Sequence, residues 1–535
     1  MIGIEGRVIA EVFAEAVARW PERDFLVVPR KDEAPVRVLS YGQVAEKVEE
    51  CAGALVRAGY GAGQRVAVLL GTCPEHYIVK LALNRLGISC VPVNPDYRVP
   101  EMAYLLEDSG AALAIAGAPW AGVMREALAE AGTGAAFVPF GEMLEGLPAA
   151  PSAPPGGAVG PESEASLLYT SGTTGRPKGC ILTHDYELMI GAAYPQVGPP
   201  VALGEKDRVF NPLPAFHINA GVVSFLGVML VGAALIQPER FSVGAWWRDT
   251  GETRATVFHY LGVVIAVLMA DRDTGPEVLG DLRLGIGAGV EPALHVGFEK
   301  RFGIPLVELW GMTEMCRVIV MSDEPRKTDT RAFGRPRADL QVQVWDDAGR
   351  ECPRGVAGEM VLRHSQATPR KGFFAGYLNK PEATEEAWAG GWFHTGDTVV
   401  MDAEDILYFV DRKKNIIRRA GENIAAAEVE NILMQDERVV NAACVAVPDE
   451  IREEEVLACI VLAEGVRDDA DTGMKIVRQA LEKLSYYKVP GWVLFVEKLP
   501  VTGTQKVVKH MLFEPGEDPR ERVGIIDLRA LKRRR

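Results

Sequence analysis

The chain has 535 residues, which is long enough for two or more domains and a large core. Apolar residues make up 48% and charged residues 24%, the balance of a soluble globular protein. With 73 acidic against 58 basic residues the net charge is −15. That argues against a general nucleic-acid binder, whose affinity comes mostly from neutralising phosphates, but leaves room for a local basic pocket.

The N-terminus, "MIGIEGRVIAEVFAEAVARWPERDFLVV", carries Glu5, Arg7, Glu11 and Glu15 inside any apolar core of a leader. It reads as a strand-like start followed by an amphipathic helix, with no signal peptide. The eight cysteines (Cys51, Cys73, Cys90, Cys180, Cys316, Cys352, Cys444 and Cys459) contain no C-x-x-C pair. They are expected to be reduced, buried thiols of a cytoplasmic protein.

Strand and helix then alternate twice. In the first series "RVAVLL" is a strand, "PEHYIVKLALNRLG" a helix with Pro at its start, "SCVPVNP" a strand, "VPEMAYLLEDSG" a helix and "AALAIAG" a strand. The second series runs "DRVFNPLP", an apolar helix, "AALIQP", the helix "SVGAWWRDTGET" and "ATVFHYLG". Alternation of this kind implies parallel sheets covered by helices, and the matching order implies a duplicated doubly wound α/β unit. The apolar helix lies in "INAGVVSFLGVMLVGAALI", residues 218–236, long enough to span a bilayer. Its glycines and polar flanks favour a buried helix running into a buried strand, so no transmembrane segment is expected. Between the two series, "GLPAAPSAPPGGAVGPESE" is a surface connection.

From residue 333 the texture changes to short strands and turns. "LQVQVW" and "GEMVLR" read as a hairpin pair of a small β subdomain. Beyond a boundary near Asp411, "AAAEVENILMQ" and "GMKIVRQALEKLS" read as helices and "VVNAACVAVP" and "VLACIVLAE" as strands. The expected domains are therefore 1–411 and a separate α+β domain, 412–535.

The strand "SLLYT", ending at Thr170, delivers the loop "SGTTGRPKG". Gly172, Gly175 and Gly179 let backbone amides turn inward around an anion, Ser171, Thr173 and Thr174 add hydroxyl donors, and Arg176 and Lys178 add positive charge. A polyphosphate site is one reading and a solvent-exposed turn is the plain alternative. A Walker loop does not fit, because Lys178 is followed by Gly179 rather than Ser or Thr.

This loop resembles the phosphate loop of the adenylate-forming superfamily, which includes acyl-CoA synthetases, luciferases and peptide-synthetase adenylation domains. Further stretches are similar in the family's order over nearly the whole chain: "LWGMTE", "WFHTGD", "VDRKKNIIRRAGENIAAAEVE" and "PVTGTQK". The resemblance implies that a carboxylate is joined to AMP with release of pyrophosphate and the acyl group is then passed to a thiol. ATP, Mg²⁺ and coenzyme A are the implied cofactor and co-substrates.

Residue roles follow from the same resemblance. Thr170, Ser171, Gly172, Thr173, Thr174, Gly175 and Lys178 would surround the phosphates. Glu314 would ligate Mg²⁺, with Thr173 sharing that role, and Thr313 would reach the α-phosphate. Trp310, in place of the usual Tyr, would stack on adenine, flanked by Gly311 and Met312. Gly289, Val290 and Glu291, in "GAGVEP", match the adenine-side loop, with an ordinary strand-to-helix turn as the competing reading. Asp397 would accept from both ribose hydroxyls, and Arg412 would reach ribose or phosphate. Lys506 is the implied catalytic lysine, offsetting repulsion between the substrate carboxylate and the α-phosphate. Gln505 stands where the family has glycine.

In the family the last domain turns about the residue matching Lys414 between half-reactions, presenting Arg418, Arg419 and Gly421 to coenzyme A. "LPAFHINAG" has His217 and no acidic residue, as in acyl-CoA synthetases rather than peptide synthetases, and the hinge looks especially like the carnitine/crotonobetaine-CoA ligase and fatty-acyl ligase group. The acyl pocket is expected from His217, Ile218, Asn219, Tyr260, Gly262, Gly287, Ala288, Gly311 and Met312, with a core His217 as the alternative. The partners are then a small carboxylic acid, ATP and CoA, with no nucleic acid, and a homodimer is common among relatives. A carrier protein or oxygen as acceptor, or a non-catalytic nucleotide sensor, are the competing readings.

Overall fold

The computed structural model of the chain describes residues 1–170, 176–271, 279–412, 416–500, 507, 509–514 and 516–533, with backbone only at 411, 412, 427 and 510. Two units form. One comprises Met1–Pro95, Leu106–Leu168 and Gly179–Asp411, and the other Asp96–Leu105, Tyr169–Lys178 and Arg412–Arg535.

In the first unit, short apolar runs become buried parallel strands because helices cover both of their faces. "RVAVL" is the strand Arg65–Leu69, flanked in parallel by Ser89–Pro92 and Leu113–Ala116. The helix between the first two, Pro74–Arg85, has Pro at its first turn, where no backbone donor is lost. These strands lie in a seven-stranded sheet that also holds Glu164–Thr170 and Lys178–Thr183.

An eight-stranded sheet carries the second series in the order Ile319–Val320, Leu306–Trp310, Leu284–Ala288, Val257–Leu261, Arg208–Phe210, Ala234–Ile236, Asp24–Val28, Arg37–Ser40. The strand Asp24–Val28 precedes the whole first series in sequence, yet pairs in parallel with Ala234–Ile236. The two halves are therefore not a simple repeat, since one strand of the second sheet comes from the start of the chain. Residues 1–8 are irregular rather than strand-like: the Ile2 amide donates to Leu230 O at 2.8 Å and the Ile2 side chain is buried, which pins the segment to a helix instead of a sheet edge.

The apolar stretch 218–236 is a π-helical turn, Asn219–Ser224, then the α-helix Phe225–Val231 and the strand Ala234–Ile236. Gly232 ends the helix at φ +75°, with the Trp20 ring packed where a Cβ would stand. Among the described residues no helix is long and apolar enough to cross a membrane. The hairpin strands Gln341–Trp345 and Gly358–Arg363 pair antiparallel, Val342 opposite Leu362, within a five-stranded sheet. All eight cysteines are free thiols; seven are buried and Cys73 is half-buried.

A buried ion pair ties helix to helix inside this unit. Lys80, on Pro74–Arg85, is 1% exposed and donates to Glu187 Oε1 at 2.9 Å and to the Ser166 hydroxyl. Glu187 lies on the helix His184–Gln196, whose first turn is capped by the Thr183 hydroxyl accepting from the Tyr186 amide.

In the second unit the long strands Val439–Asp449 and Glu453–Leu462 form an antiparallel pair. The second of these is followed in parallel by Trp492–Phe495, which pairs antiparallel with Ile526–Asp527. The helices Ala426–Leu433 and Ala470–Lys483 pack on this sheet through Val429, Ile476 and Val477. Asp469 caps the second helix, accepting from the Thr472 amide at 2.9 Å.

Removing one partner of a buried ion pair strands the other, at a cost of about 3–5 kcal/mol. Lys80→Met is therefore expected to lower the urea-unfolding midpoint by that amount of stability, and Lys80→Met with Glu187→Leu to restore most of it. A single variant that unfolds at the wild-type midpoint would show that the pair does not hold the two helices.

Candidate active site

Three neighbouring strands of the eight-stranded sheet run in parallel, Val257–Leu261, Leu284–Ala288 and Leu306–Trp310, with Tyr260 opposite Gly287 and Gly287 opposite Glu308. Their carboxyl ends therefore open on one edge, where open α/β sheets bind ligands. The segments leaving that edge begin at Gly262, Gly289 and Gly311.

The third strand ends in Trp310, 7% exposed, whose Nε1–H donates to Asp397 Oδ2 at 2.8 Å. Asp397 is 5% exposed and sits on the strand Phe393–Met401. The backbone around it is pinned: the Thr395 hydroxyl donates to Met360 O and accepts from the Asp397 amide, and the Gly396 amide, at φ +70°, donates to Glu359. The indole N–H thus orients the Asp397 carboxylate at the open edge of the sheet.

Beyond Trp310, Gly311, Met312 and Thr313 turn back, with Thr313 O accepting from the Tyr186 hydroxyl at 2.8 Å. Glu314 is 8% exposed and its Oε1 accepts from the Tyr377 hydroxyl at 2.8 Å. Burial, and then the Glu314 charge, hold Tyr377 protonated, well above its ordinary pKa. Tyr377 was not anticipated from sequence. Among the described residues no cluster of three or more His, Cys, Asp or Glu could hold a metal. A lone carboxylate suits a cation that keeps mostly phosphate and water oxygens.

At the end of the middle strand, Gly289 takes φ +77° between Leu284–Ala288 and the helix Pro292–Phe302. Its amide donates to Glu308 Oε2 at 2.8 Å, and the Val290 amide approaches Oε1 at 3.5 Å. Glu291 precedes the helix and pairs with Arg331. Glu308 is the second residue that sequence reasoning missed, although a carboxylate inside the apolar run "PLVELW" was a visible signal.

Tyr260 requires a correction. Its side chain is fully buried among Trp246, Phe258, Val264 and Phe298, and its hydroxyl donates to Glu308 Oε1 at 2.7 Å, so it presents no hydroxyl to an acyl group. Gly287 is glycine for the same reason, since a Cβ there would overlap the Tyr260 ring. His217, Ile218, Asn219 and Ala288 are half-buried. Asn219 Oδ1 accepts from Asn211 Nδ2 at 2.8 Å, and Asn211 also donates to Ser224, which contacts the buried His259.

In the second unit Arg176 lies over the Tyr104 ring, 5.0 Å from its centroid, and the Tyr104 hydroxyl donates to Pro177 O. Thr170 closes its strand and Lys178 opens the next. The hairpin of Ile416–Arg419 and Glu422–Ala425 turns through Ala420 and Gly421, both at positive φ. Arg418 is half-buried there. Arg419 is the second correction: it is 5% exposed and its Nε donates to the fully buried Glu455 at 2.8 Å, which commits it to the domain interior rather than to a CoA phosphate. Lys532 bonds the other Glu455 oxygen, and burial pushes its ammonium pKa down to about 7. Ser171, Gly172, Thr173, Thr174, Gly175, Lys414 and Lys506 lie outside the described residues, as does the side chain of Arg412.

The family model described as AMP-binding enzyme matches residues 13–378, and that described as AMP-binding enzyme C-terminal domain matches residues 428–506. The chain belongs to the AMP-binding enzyme family. The sulfoacetate–CoA ligase of Cupriavidus necator is 31% identical over 93% of this chain and 96% of its own length. The crotonobetaine/carnitine–CoA ligase of Citrobacter koseri is 30% identical over 94% and 97%. Among solved structures, o-succinylbenzoate CoA synthetase from Bacillus subtilis superposes with a TM-score of 0.82 at 23% identity, covering 95% of this chain and 98% of that one. A Mycobacterium tuberculosis fatty acyl CoA synthetase gives 0.66 at 27%, covering 94% and 97%. This AMP-binding enzyme is accordingly an adenylate-forming acid–CoA ligase with a large N-terminal and a smaller C-terminal domain.

A hydrogen bond to a charged group is worth about 1.5–3 kcal/mol. Trp310→Phe keeps an aromatic face but deletes the donor to Asp397. It is expected to raise the KM for ATP about tenfold or more while leaving the KM for the acid unchanged, as read from initial rates with each substrate varied in turn. An unchanged ATP KM would mean that Asp397 needs no help from the indole.

Proposed function

We propose that residues 1–411 bind ATP and a carboxylic acid and form acyl-AMP, and that residues 412–535 supply Lys506 and then the CoA-facing hairpin. The observation that carries this reading is the Trp310–Asp397 bond, which presents a buried, oriented carboxylate beside an aromatic face at the open edge of three parallel strands.

The chemistry follows from what each group can do. Asp397, oriented by the indole bond, would accept from a ribose hydroxyl, and its burial strengthens such a bond relative to water. Gly289 and Val290 bring backbone atoms against the base, and Thr313 approaches the α-phosphate. Glu314, oriented by Tyr377, and Thr173 would hold Mg²⁺, which when bound supplies charge neutralisation of the leaving pyrophosphate. Lys178 and the amides of 171–175 would cradle the β- and γ-phosphates. The acid's carboxylate oxygen attacks the α-phosphorus, the bond to pyrophosphate breaks, and Lys506 offsets the charge gathered between them. In the second half-reaction the CoA thiol, losing its proton, attacks the acyl carbon and AMP leaves. Gly421 gives the pantetheine arm room and Arg418 remains the candidate for a CoA phosphate.

The acid is proposed to be small and polar. Sulfoacetate and crotonobetaine or carnitine, which name the relatives' reactions, are of that kind. Asn219, with its Oδ1 taken by Asn211, has its amide N–H groups to offer an acceptor on the substrate. A cytoplasmic location and a homodimer accompany this proposal.

Purified protein with ATP, Mg²⁺, CoA and a panel of sulfonated, betaine-like, aliphatic and aryl acids, followed by mass spectrometry, tests the reading. Acyl-CoA is expected for the polar acids, with the rate falling about 10²–10³-fold in Lys506→Ala. Acyl-AMP that persists in the presence of CoA would overturn CoA as the acceptor.

A further inference from the structure

Glu308 is a buried carboxylate to which the ligase reading gives no task. It lies on the strand Leu306–Trp310, two residues before the indole that holds Asp397, and is 8% exposed. Among the described residues the hydrogen-bond partners of its side chain are neutral donors. The Tyr260 hydroxyl donates to Oε1 at 2.7 Å from the neighbouring buried strand but one, and the Gly289 amide donates to Oε2 at 2.8 Å from the turn beyond the strand between them. The Val290 amide stands 3.5 Å from Oε1. The carboxylate therefore spans three strands and ends on the turn placed against the base.

We propose that Glu308 is a positioning residue for nucleotide binding: its ionised carboxylate fixes the Gly289–Val290 turn in the shape that receives adenine, and its protonation loosens that turn. The inference rests on the ligase reading. Gly289 stands at φ +77° with an exposed surface, one of several backbone shapes open to glycine, and the bond to Oε2 is the side-chain bond that holds its amide in this one. A protonated Glu308 must direct its O–H toward a partner that is itself a donor. Either the Tyr260 hydroxyl turns to accept or an amide bond lengthens, so the two charge states cannot hold the turn equally well.

The groups facing this carboxylate are few. Tyr260 comes from the strand Val257–Leu261, and His295 and Glu299 from the helix Pro292–Phe302, where His295 bonds Glu299 and Leu306 O. Arg326, following the strand Ile319–Val320, pairs with Glu299 rather than with Glu308. With no cation bonded to it among the described residues, burial raises the Glu308 pKa to about 7, and the Tyr260 bond, the nearby His295 and the amide bonds restrain the rise. Its ionisation is thus displaced well above the ordinary carboxylate range. If ATP prefers the ionised form, affinity for ATP must fall as the pH drops through 7, because binding then has to expel a proton.

The test compares wild type, Glu308→Gln and Tyr260→Phe by ATP titration calorimetry and by KM for ATP, acid and CoA from pH 5.5 to 8.5. ATP's own titration is common to all three proteins, so the ratio between them isolates the protein group. Glu308→Gln is expected to bind ATP about 5–20-fold more weakly than wild type at pH 8, with that deficit shrinking toward pH 6 and the KM values for acid and CoA unchanged. Tyr260→Phe, which removes one donor to the carboxylate, is expected to move the wild-type inflection to higher pH, and it serves alone should Glu308→Gln fail to fold. A merely structural role would lower the melting temperature without this ATP-specific, pH-dependent split. If wild type binds and turns over ATP while both variants match its ATP affinity at every pH, the role of Glu308 is overturned and the ligase reading stands. If wild type binds no ATP at any pH, both are overturned.

Discussion

The parallel register of Val257–Leu261, Leu284–Ala288 and Leu306–Trp310 is the constraint on which the candidate site depends. Parallel strands put all their carboxyl ends on one side, so loops far apart in sequence begin next to one another without further folding information. Tyr260, Gly287 and Glu308 stand in one row across those strands, and the row works because the middle position has no side chain. A shift of one residue in either pairing would turn Glu308 toward the opposite face and leave the Gly289 turn unanchored.

Three carboxylates near that edge each accept from at least one neutral hydrogen-bond donor. Asp397 is bonded by an indole, Glu314 by a phenol, and Glu308 by a phenol and backbone amides. Such donors fix the direction of a carboxylate without supplying a charge of their own. The structural carboxylates of the interior are treated differently: Glu187 meets Lys80, and Glu455 meets Arg419 and Lys532. Glu187 and Glu455 thus serve the fold as members of buried ion pairs.

Much of the fold was legible in the chain because short apolar runs bounded by Gly, Pro and polar turns leave few alternatives. The segments "RVAVL", "LQVQVW" and the helix beginning at Pro74 adopt the expected structures. The placement of Asp24–Val28 was not legible, since a buried strand carries no mark of which sheet will take it. The same limit applies to the site. Trp310 and Asp397 each stood out within a motif, but their mutual bond depends on how two sheets meet. Tyr260 was read as a pocket residue, whereas strand alternation turns its ring into the cluster around Trp246 and Phe258 and its hydroxyl to Glu308. Arg419 was read as a contact for coenzyme A, since nothing near it in sequence announces Glu455.

The tail after residue 507 has a bearing on how the protein behaves outside its native state. Ile526–Asp527 lies along Trp492–Phe495 and occupies hydrogen-bonding groups that would otherwise face solvent, while Leu528 and Lys532 anchor that short strand from beneath. A chain clipped in this tail would expose a flat, apolar strand ready to recruit another molecule. The tail therefore guards solubility, and proteolytic trimming there would show first as self-association rather than as lost chemistry.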